Sequence, residues 1–410
     1  MSENQASTAT VTVVGVGADG WPGLTSAAQA ALSQAEVILG TDRQLGLVPP
    51  ELAARRVAWP MPLLPALAAT LHEHAGQLRA VLASGDPTFY GIASTIARLA
   101  PEIRLTVVPH PSSLSLACAR LGWAQQDVEV ISLVGRPVAE ITARAYPGRR
   151  LLILAEGPHS PAGVSALLRE RGLGASPVVA LSNLGARDEQ RIDSTAADWP
   201  ADVHPGALTV LGVECRASAD HSRLALTPGL PDHQYEHDGQ LTKRHVRAIT
   251  LASLAPAPGE LLWDVGGGAG SIAIEWMRTH PSCRAICVER DGIRAKRIER
   301  NAIALGVPQL RVVLGAAPAA LAKLSAPDAV FIGGGVTEPG LVETCWKTLK
   351  SGGRLVVNVS TLESERVILG TRAQHGGELT RIEIAAETTV GRFTAWRPAM
   401  PVTQWVVTKP

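Results

Sequence analysis

The stretch "LLWDVGGGAGSIAIEWMR", residues 261–278, is an apolar run that closes on an acid, passes through glycines and continues with helical periodicity. That is the pattern of a strand, a tight turn and a helix, a unit that offers bare backbone to a nucleotide-like ligand. Gly266, Gly268 and Gly270 are spaced two apart, and Ser271 stands where the dinucleotide fingerprint would place its last glycine. A GxGxG turn after Asp264 suits S-adenosylmethionine (SAM), whose amino-acid end must lie against backbone without side chains. The next strand, "AICVER" (285–290), carries Glu289, a carboxylate able to accept hydrogen bonds from both ribose hydroxyls. This loop begins nearly two thirds of the way along the chain, so the preceding residues call for their own explanation.

Downstream of the loop, strands are expected at 261–265, 284–289, 311–314, 328–333, 353–359, 379–386 and 403–408, with helices between the first five or six. The last two are separated only by "TTVGRFTAWRPAMPV" (388–402), which predicts an antiparallel hairpin closing a mostly parallel sheet. Upstream, "CRASADHSRLALTPGLPDHQYEHD" (215–238) has two prolines and no sustained period, and reads as a linker and the arm of the next domain. Before it the strand–helix rhythm runs from "VTVVGVG" (11–17) through "EVILG", "RAVLASGDPTFYG", "RLTVVPHPSS", "VEVISLVG", "RLLILAEGP" and "SPVVALSNLG" to "ALTVLGVEC" (207–215). Both halves are therefore α/β layers. The expected division is 1–215, 216–238 and 239–410, with residues 1–10 as a frayed tail.

The first half has its own loops. Gly15 and Gly17 open a turn that runs on to Trp21-Pro22-Gly23 before a helix starts at the N-cap Thr25. "SGDP" places Gly85 for close approach, Asp86 as an acceptor and Pro87 at the bend, and "PHPSS" brings hydroxyls at Ser112 and Ser113 to the start of a helix. Three loops that each follow a strand can converge on one crevice at the strand ends, where α/β sheets bind ligands.

With 46% hydrophobic and 18% charged residues the chain is of ordinary globular composition, and a net charge of +1 provides no global field for nucleic acid or anionic membrane. No apolar run approaches a membrane span and "MSENQASTAT" has no signal-peptide character, which predicts a cytoplasmic protein. The five cysteines, Cys118, Cys215, Cys283, Cys287 and Cys345, lack zinc spacing and read as reduced, mostly buried thiols. "HQYEH" (233–237) matches an inverted zinc-peptidase pattern, but it sits between "TPGLPD" and "DGQ", where a sustained helix is not expected. No metal site is expected.

Together these residues resemble two families joined in one chain. "VTVVGVGADG", "AEVILG", "VLASGDPTFYGIAS" and "PSSLSLACARLGW" are similar to the tetrapyrrole methylases of the cobalamin pathway. "GLPDHQYEHDGQLTKRHVRAITLASLAPAPGELLWDVGGGAGSIAIEWMR", "FIGGG" and "AWRPAMPVTQW" resemble the decarboxylating precorrin methyltransferases. The resemblance implies a two-lobed class III methyltransferase fold followed by a Rossmann-like class I domain. It implies one SAM site in each: at Gly15, Gly17, Gly85, Asp86, Pro87, Ser112 and Ser113, and at Thr242, Gly266, Gly267, Gly268, Ala269, Gly270, Glu289 and Ala317. The implied reaction converts precorrin-6B to precorrin-8, with C5 methylated by the first half, and C15 methylation and loss of the C12 acetate carboxyl in the second.

The substrate is an anionic tetrapyrrole, so Arg136, Lys243, Arg244, Arg247, Arg392 and Arg397 are candidate carboxylate ligands; no residue announces itself as a catalytic acid or base. The resembled families self-associate, which implies a homo-oligomer. Three departures stand out: Gly315-Ala316-Ala317-Pro318 in place of Gly-Asp-Ala-Pro, "GGGAG" in place of GAGSG or GCGSG, and His110 in "PHPSS" in place of Pro-Gly-Ile-Ser-Ser. The rival readings are a methyltransferase acting on RNA or another small molecule, with the first half for recognition, and a nonenzymatic SAM sensor.

Overall fold

A computed structural model describes residues 10–200, 202–219, 221 and 223–410. The expected tail at 1–9 lies outside the described residues, and Thr10 already belongs to the first strand. The described residues form two compact units: those up to Arg136 with Ala145–His221, and Pro137–Arg144 with those from Arg223 onward.

The first unit has two five-stranded sheets. Strands β1 (Thr10–Val16), β2 (Val37–Gly40), β3 (Arg55–Ala58), β4 (Arg79–Ser84) and β5 (Arg104–Val108) pair in the order β3-β2-β4-β1-β5, all parallel. β1 and β2 are β-branched or aliphatic along nearly their whole length and buried on both faces, as parallel strands covered by helices must be. Strands β6 (Val128–Ser132), β7 (Arg150–Leu154), β8 (Pro177–Ser182), β9 (Gln190–Thr195) and β10 (Thr209–Glu214) pair in the order β6-β7-β10-β8-β9; only the β6–β7 pair is parallel. β3 ("RRVA") and β9 ("QRIDST") were not anticipated. Both are charged edge strands, where solvent on one side removes the apolar signature. The sheet order makes β4, β1 and β5 neighbours, so the turns after them emerge side by side.

The second unit is built on one seven-stranded sheet. Strands β11 (Leu261–Val265), β12 (Arg284–Glu289), β13 (Arg311–Leu314), β14 (Ala329–Ile332), β15 (Arg354–Val359), β16 (Glu378–Ile382) and β19 (Val402–Thr408) pair as β13-β12-β11-β14-β15-β19-β16. Only β19 runs against its neighbours, pairing antiparallel with β15 and with β16. Chain order reverses between β11 and β14, which makes the glycine turn after β11 the topological switch point. Trp276, Met277 and Ile298 pack on one face of the sheet, and Trp263, Leu341 and Trp405 on the other.

Two details differ from expectation. Between β13 and β14 there is only a short 3-10 turn, Ala319–Leu321. The expected 388–402 connection is itself folded, with β17 (Ala385–Val390) and β18 (Phe393–Pro398) forming a separate antiparallel ribbon. Val390, Phe393 and Trp396 on that ribbon are exposed by 56%, 66% and 75%. A ribbon without a core carries no periodic apolar face, and so gives no strand signal. All five cysteines are buried and free. His233 sits on the 3-10 turn Asp232–Gln234, after which the chain is extended at Tyr235. No cluster of three or more metal-ligating side chains occurs among the described residues.

Candidate functional site: two glycine-bounded clefts

The first cleft, about 450 Å³, lies between the two sheets of the first unit. Its floor is backbone from the β1 and β4 turns: Val16, Gly17, Ala18, Ser84 and Gly85. Gly15 lies beneath this floor. A Cβ there would stand 2.3 Å from the Gly85 carbonyl and 2.8 Å from the His110 backbone nitrogen. At Gly17 a Cβ would meet Asp19 Oδ1 at 2.4 Å and His110 Cε1 at 2.5 Å. His110 is thus the buried packing partner of the glycine turn, with Nε2 3.6 Å from Asp19 Oδ1.

Ser113 and Arg136 line the cleft as expected, but Asp86, Pro87 and Ser112 do not. Asp86 Oδ1 accepts hydrogen bonds from the Thr88 backbone NH (2.7 Å) and hydroxyl (2.6 Å), fixing its own turn. The Pro87 carbonyl accepts from Ala93 N, and Ser112 is the N-cap of helix Ser113–Leu121, accepting from Ser115 N at 3.2 Å. The bonds of these three residues hold the loops that border the cleft. Sequence reasoning missed Arg43, whose guanidinium donates to Ser84 Oγ (2.6 Å) at the cleft wall and whose pKa is lowered by burial. It also missed Tyr90 and Asn183, cleft-lining residues that both hold φ near +51°, a conformation non-glycine residues adopt at a cost.

In the second unit two cavities, about 290 and 400 Å³, share Gln240, Gly266, Gly268 and Gly333. The smaller is lined by Glu289, Ala316 and Ala317 together with Arg290, Arg294 and Glu338; the larger by Thr242, Lys243, His245, Gly267, Asn358 and an apolar wall including Ile382, Ile384 and Met400. Gly266 and Gly268 have φ of +78° and +59°. A Cβ on Gly268 would stand 2.8 Å from the Gln240 carbonyl oxygen, so the wall between the cavities is bare backbone by necessity.

Glu289 is buried, its Oε2 accepting from Gly268 N (2.9 Å) and its Oε1 from Asp291 N (3.0 Å). Each oxygen keeps a lone pair, so the carboxylate is oriented for a vicinal diol in the smaller cavity. Asp264, under the glycine turn, is fully buried and accepts from Ala273 N at 3.0 Å. Burial pushes its carboxyl up to about 7, with the nearby Glu289 charge acting the same way. Two expected contacts fall elsewhere. The Ala269 carbonyl accepts from Asn301 Nδ2 (2.9 Å), and Gly270 caps helix Ser271–Thr279 against Ile298.

Residues 10–200 match the tetrapyrrole (corrin/porphyrin) methylase family, and residues 233–409 the precorrin methyltransferase domain family. A Sinorhizobium protein named precorrin-6Y C(5,15)-methyltransferase (decarboxylating) is 45% identical over 400 residues, 97% of this chain and 96% of its own. The chain belongs to that family.

A Mycobacterium tuberculosis relative of the same name is 43% identical across 97% of this chain and its own full length. The C-terminal domain of a Rhodobacter capsulatus precorrin-6Y C5,15-methyltransferase, a crystal structure, is 45% identical, with a TM-score of 0.43 over 45% of this chain and 100% of that one. The protein is thus a SAM-dependent methyltransferase with decarboxylating activity, of cobalamin biosynthesis. Nothing in these matches supports the RNA-directed reading.

Within this precorrin-6Y methyltransferase family member, the expected basic ligands separate clearly. Lys243 lines the larger cavity. Arg244 instead donates from Nε to the Gly229 carbonyl (2.9 Å). Arg247 reaches neither cavity. It is 0% exposed, with Nε 2.6 Å from Glu275 Oε1 and a second ion pair to Asp232 at 3.2 Å. Arg392 and Arg397 stand on the exposed β17–β18 ribbon, Arg392 over the Phe393 ring at 5.4 Å. Burial of an arginine inside an ion-pair network has no mark in the sequence that would distinguish it from a substrate ligand. Among the described residues no helix is long and apolar enough to cross a membrane.

Proposed function

We propose that the two clefts are two separate SAM sites on one chain: the first unit methylates C5 of precorrin-6B, and the second methylates C15 and removes the C12 acetate carboxyl, giving precorrin-8. The observation that carries this reading is the presence in each unit of its own glycine-floored cleft at the ends of parallel strands. SAM, when bound, supplies an electrophilic methyl group on a sulfonium.

The residues fit it in different ways. In the second unit Gly266 and Gly268 leave room where a side chain would clash, and the fixed oxygens of Glu289 would accept from the ribose hydroxyls. Thr242, Gly267 and Ala317 complete the walls. In the first unit Gly17, Gly85 and Ser113 offer backbone and a hydroxyl, with Gly15 keeping the turn thin. The chain's task is to hold the tetrapyrrole's enamine-like meso carbon in line with the methyl group and to exclude water. Arg43 and Arg136 would hold substrate carboxylates in the first cleft, and Lys243 in the second. Decarboxylation draws on the conjugated macrocycle as electron sink, and no metal is required in this reading.

Paired substitutions in the full-length chain test the assignment. Gly268→Val should abolish C15 methylation and CO2 release while C5 methylation persists, and Gly17→Val should do the reverse. Loss of both methyl transfers from either single variant would sink the two-site reading. The bare ribbon supports a homo-oligomer, with Phe393 and Trp396 as the surface that a second copy would cover. Phe393→Ser with Trp396→Ser should lower the mass seen by light scattering; an unchanged mass would remove the ribbon from the assembly.

A further inference from the structure

The geometry points to Arg247 and Glu275 as positioning residues for the second active site: a buried ion pair that holds the segment Gly229–Lys243 in place, and with it the strip Gln240–Lys243, which lines the larger cavity and through Gln240 the smaller one as well. This rests on the second unit's cavities being the C15 site.

Arg247 is on helix Arg244–Leu254 and Glu275 on helix Ser271–Thr279, and both are essentially inaccessible. Their hydrogen bonds go almost entirely to the segment. Glu275 accepts from the backbone NH groups of Gly229 (2.5 Å) and Leu230 (3.0 Å) and from the Tyr235 hydroxyl (2.8 Å). Arg247 donates to the Leu230 and Thr242 carbonyl oxygens and to Asp232 Oδ1, and its guanidinium lies 4.8 Å from the Tyr235 ring centre. One buried pair thus grips the segment near its start and again at Thr242, two residues beyond Gln240.

The far side is pinned separately. Asn301 Oδ1 accepts from Glu236 N at 2.9 Å, and Asp238 pairs with Arg294 (2.9 Å) and Arg297 (3.0 Å), which holds its carboxyl well below the usual carboxylate range. Between these anchors the Gln240 carbonyl lies against Gly268, and Thr242 and Lys243 face the larger cavity.

A buried pair of charges is a poor source of net stability, because desolvation offsets most of the attraction. Its geometry is better suited to fixing a conformation. The planar fork of arginine serves Glu275, Asp232 and two carbonyls at once, which an ammonium group cannot do. A side chain that touches neither cavity therefore sets where three cavity residues stand.

The test uses full-length Arg247→Lys and Glu275→Gln, with Ile368→Ala as a control that removes core packing on the opposite face of the same sheet. Methylation at C5 and C15, CO2 release and KM for SAM are measured at a temperature where circular dichroism shows each variant folded. Arg247→Lys should raise the KM for SAM and lower kcat for C15 methylation at least tenfold, with CO2 release falling in step and C5 methylation within twofold of the parent. Glu275→Gln, which keeps its shape and one acceptor, should lose less. Ile368→Ala should lower the melting temperature and leave the KM unchanged. The proposal is overturned if Arg247→Lys behaves as Ile368→Ala does. If Gly268→Val leaves C15 methylation intact, the assignment of the site has failed instead.

Discussion

If each cleft takes SAM, as proposed, the two solve one recognition problem with different atoms. Among the described residues no carboxylate lines the first cleft; its charged lining residues are Arg43 and Arg136, and its floor is main chain. The second unit places Glu289 at a strand end, clamps it with two backbone amides and backs it with the fully buried Asp264. A cofactor held by main chain leaves few marks on side-chain identity. One held by a clamped acid depends on a particular residue, so the second cleft should be the more brittle of the two.

The largest expected difference concerns pH. The folded-state pKa of Asp264 is raised to about 7 by burial, so the folded second unit binds this proton more tightly than the unfolded chain. Its contribution to stability is full below the ordinary carboxylate range and is lost as pH rises from about 4 to about 7, on the order of 4 kcal/mol in all. Asp264→Asn keeps an acceptor for Ala273 N and should be progressively more stable than the parent across that window, as read from urea midpoints. Equal slopes for parent and variant would remove Asp264 as the cause. The first cleft has no counterpart lining it.

Next is Glu289→Ala, which removes the oriented acceptor and leaves Gly268 N without its partner. SAM affinity at the second site should fall about 30- to 100-fold, some 2–3 kcal/mol, with the first site unchanged in a two-site calorimetric titration. Arg43→Ala should raise the substrate KM for C5 methylation several-fold, about 1 kcal/mol, and spare C15. Arg397→Ala, on the exposed ribbon, should alter neither methyl transfer by more than about twofold. A large effect there would place the ribbon against substrate.

Legibility in the sequence follows the same division. The strand β11, the glycine turn and Glu289 could be read directly, because a parallel strand buried on both faces is a continuous apolar run and the site acid follows from strand position. The first-cleft loops fall at neighbouring strand ends, but the bonds within them could not be read: Asp86 accepts from Thr88 and Ser112 from Ser115, partners that only the folded turn brings into range. Asn183 and Tyr90 were missed because a positive φ at a non-glycine residue is imposed by tertiary packing. Arg247 was read as a substrate ligand because Asp232, 15 positions upstream, and Glu275, 28 positions downstream, come to it only in the fold.

The contact of His110 with the glycine turn has a consequence for how such sequences can drift. At position 15 the obstacles to a side chain include the Gly85 carbonyl, part of the chain itself, so no single substitution elsewhere clears the space. At position 17 the obstacles are the side chains of Asp19 and His110. Positions 17, 19 and 110 should therefore vary together down a lineage, glycine giving way to alanine only where both neighbours have already become small, while position 15 stays fixed regardless of its company.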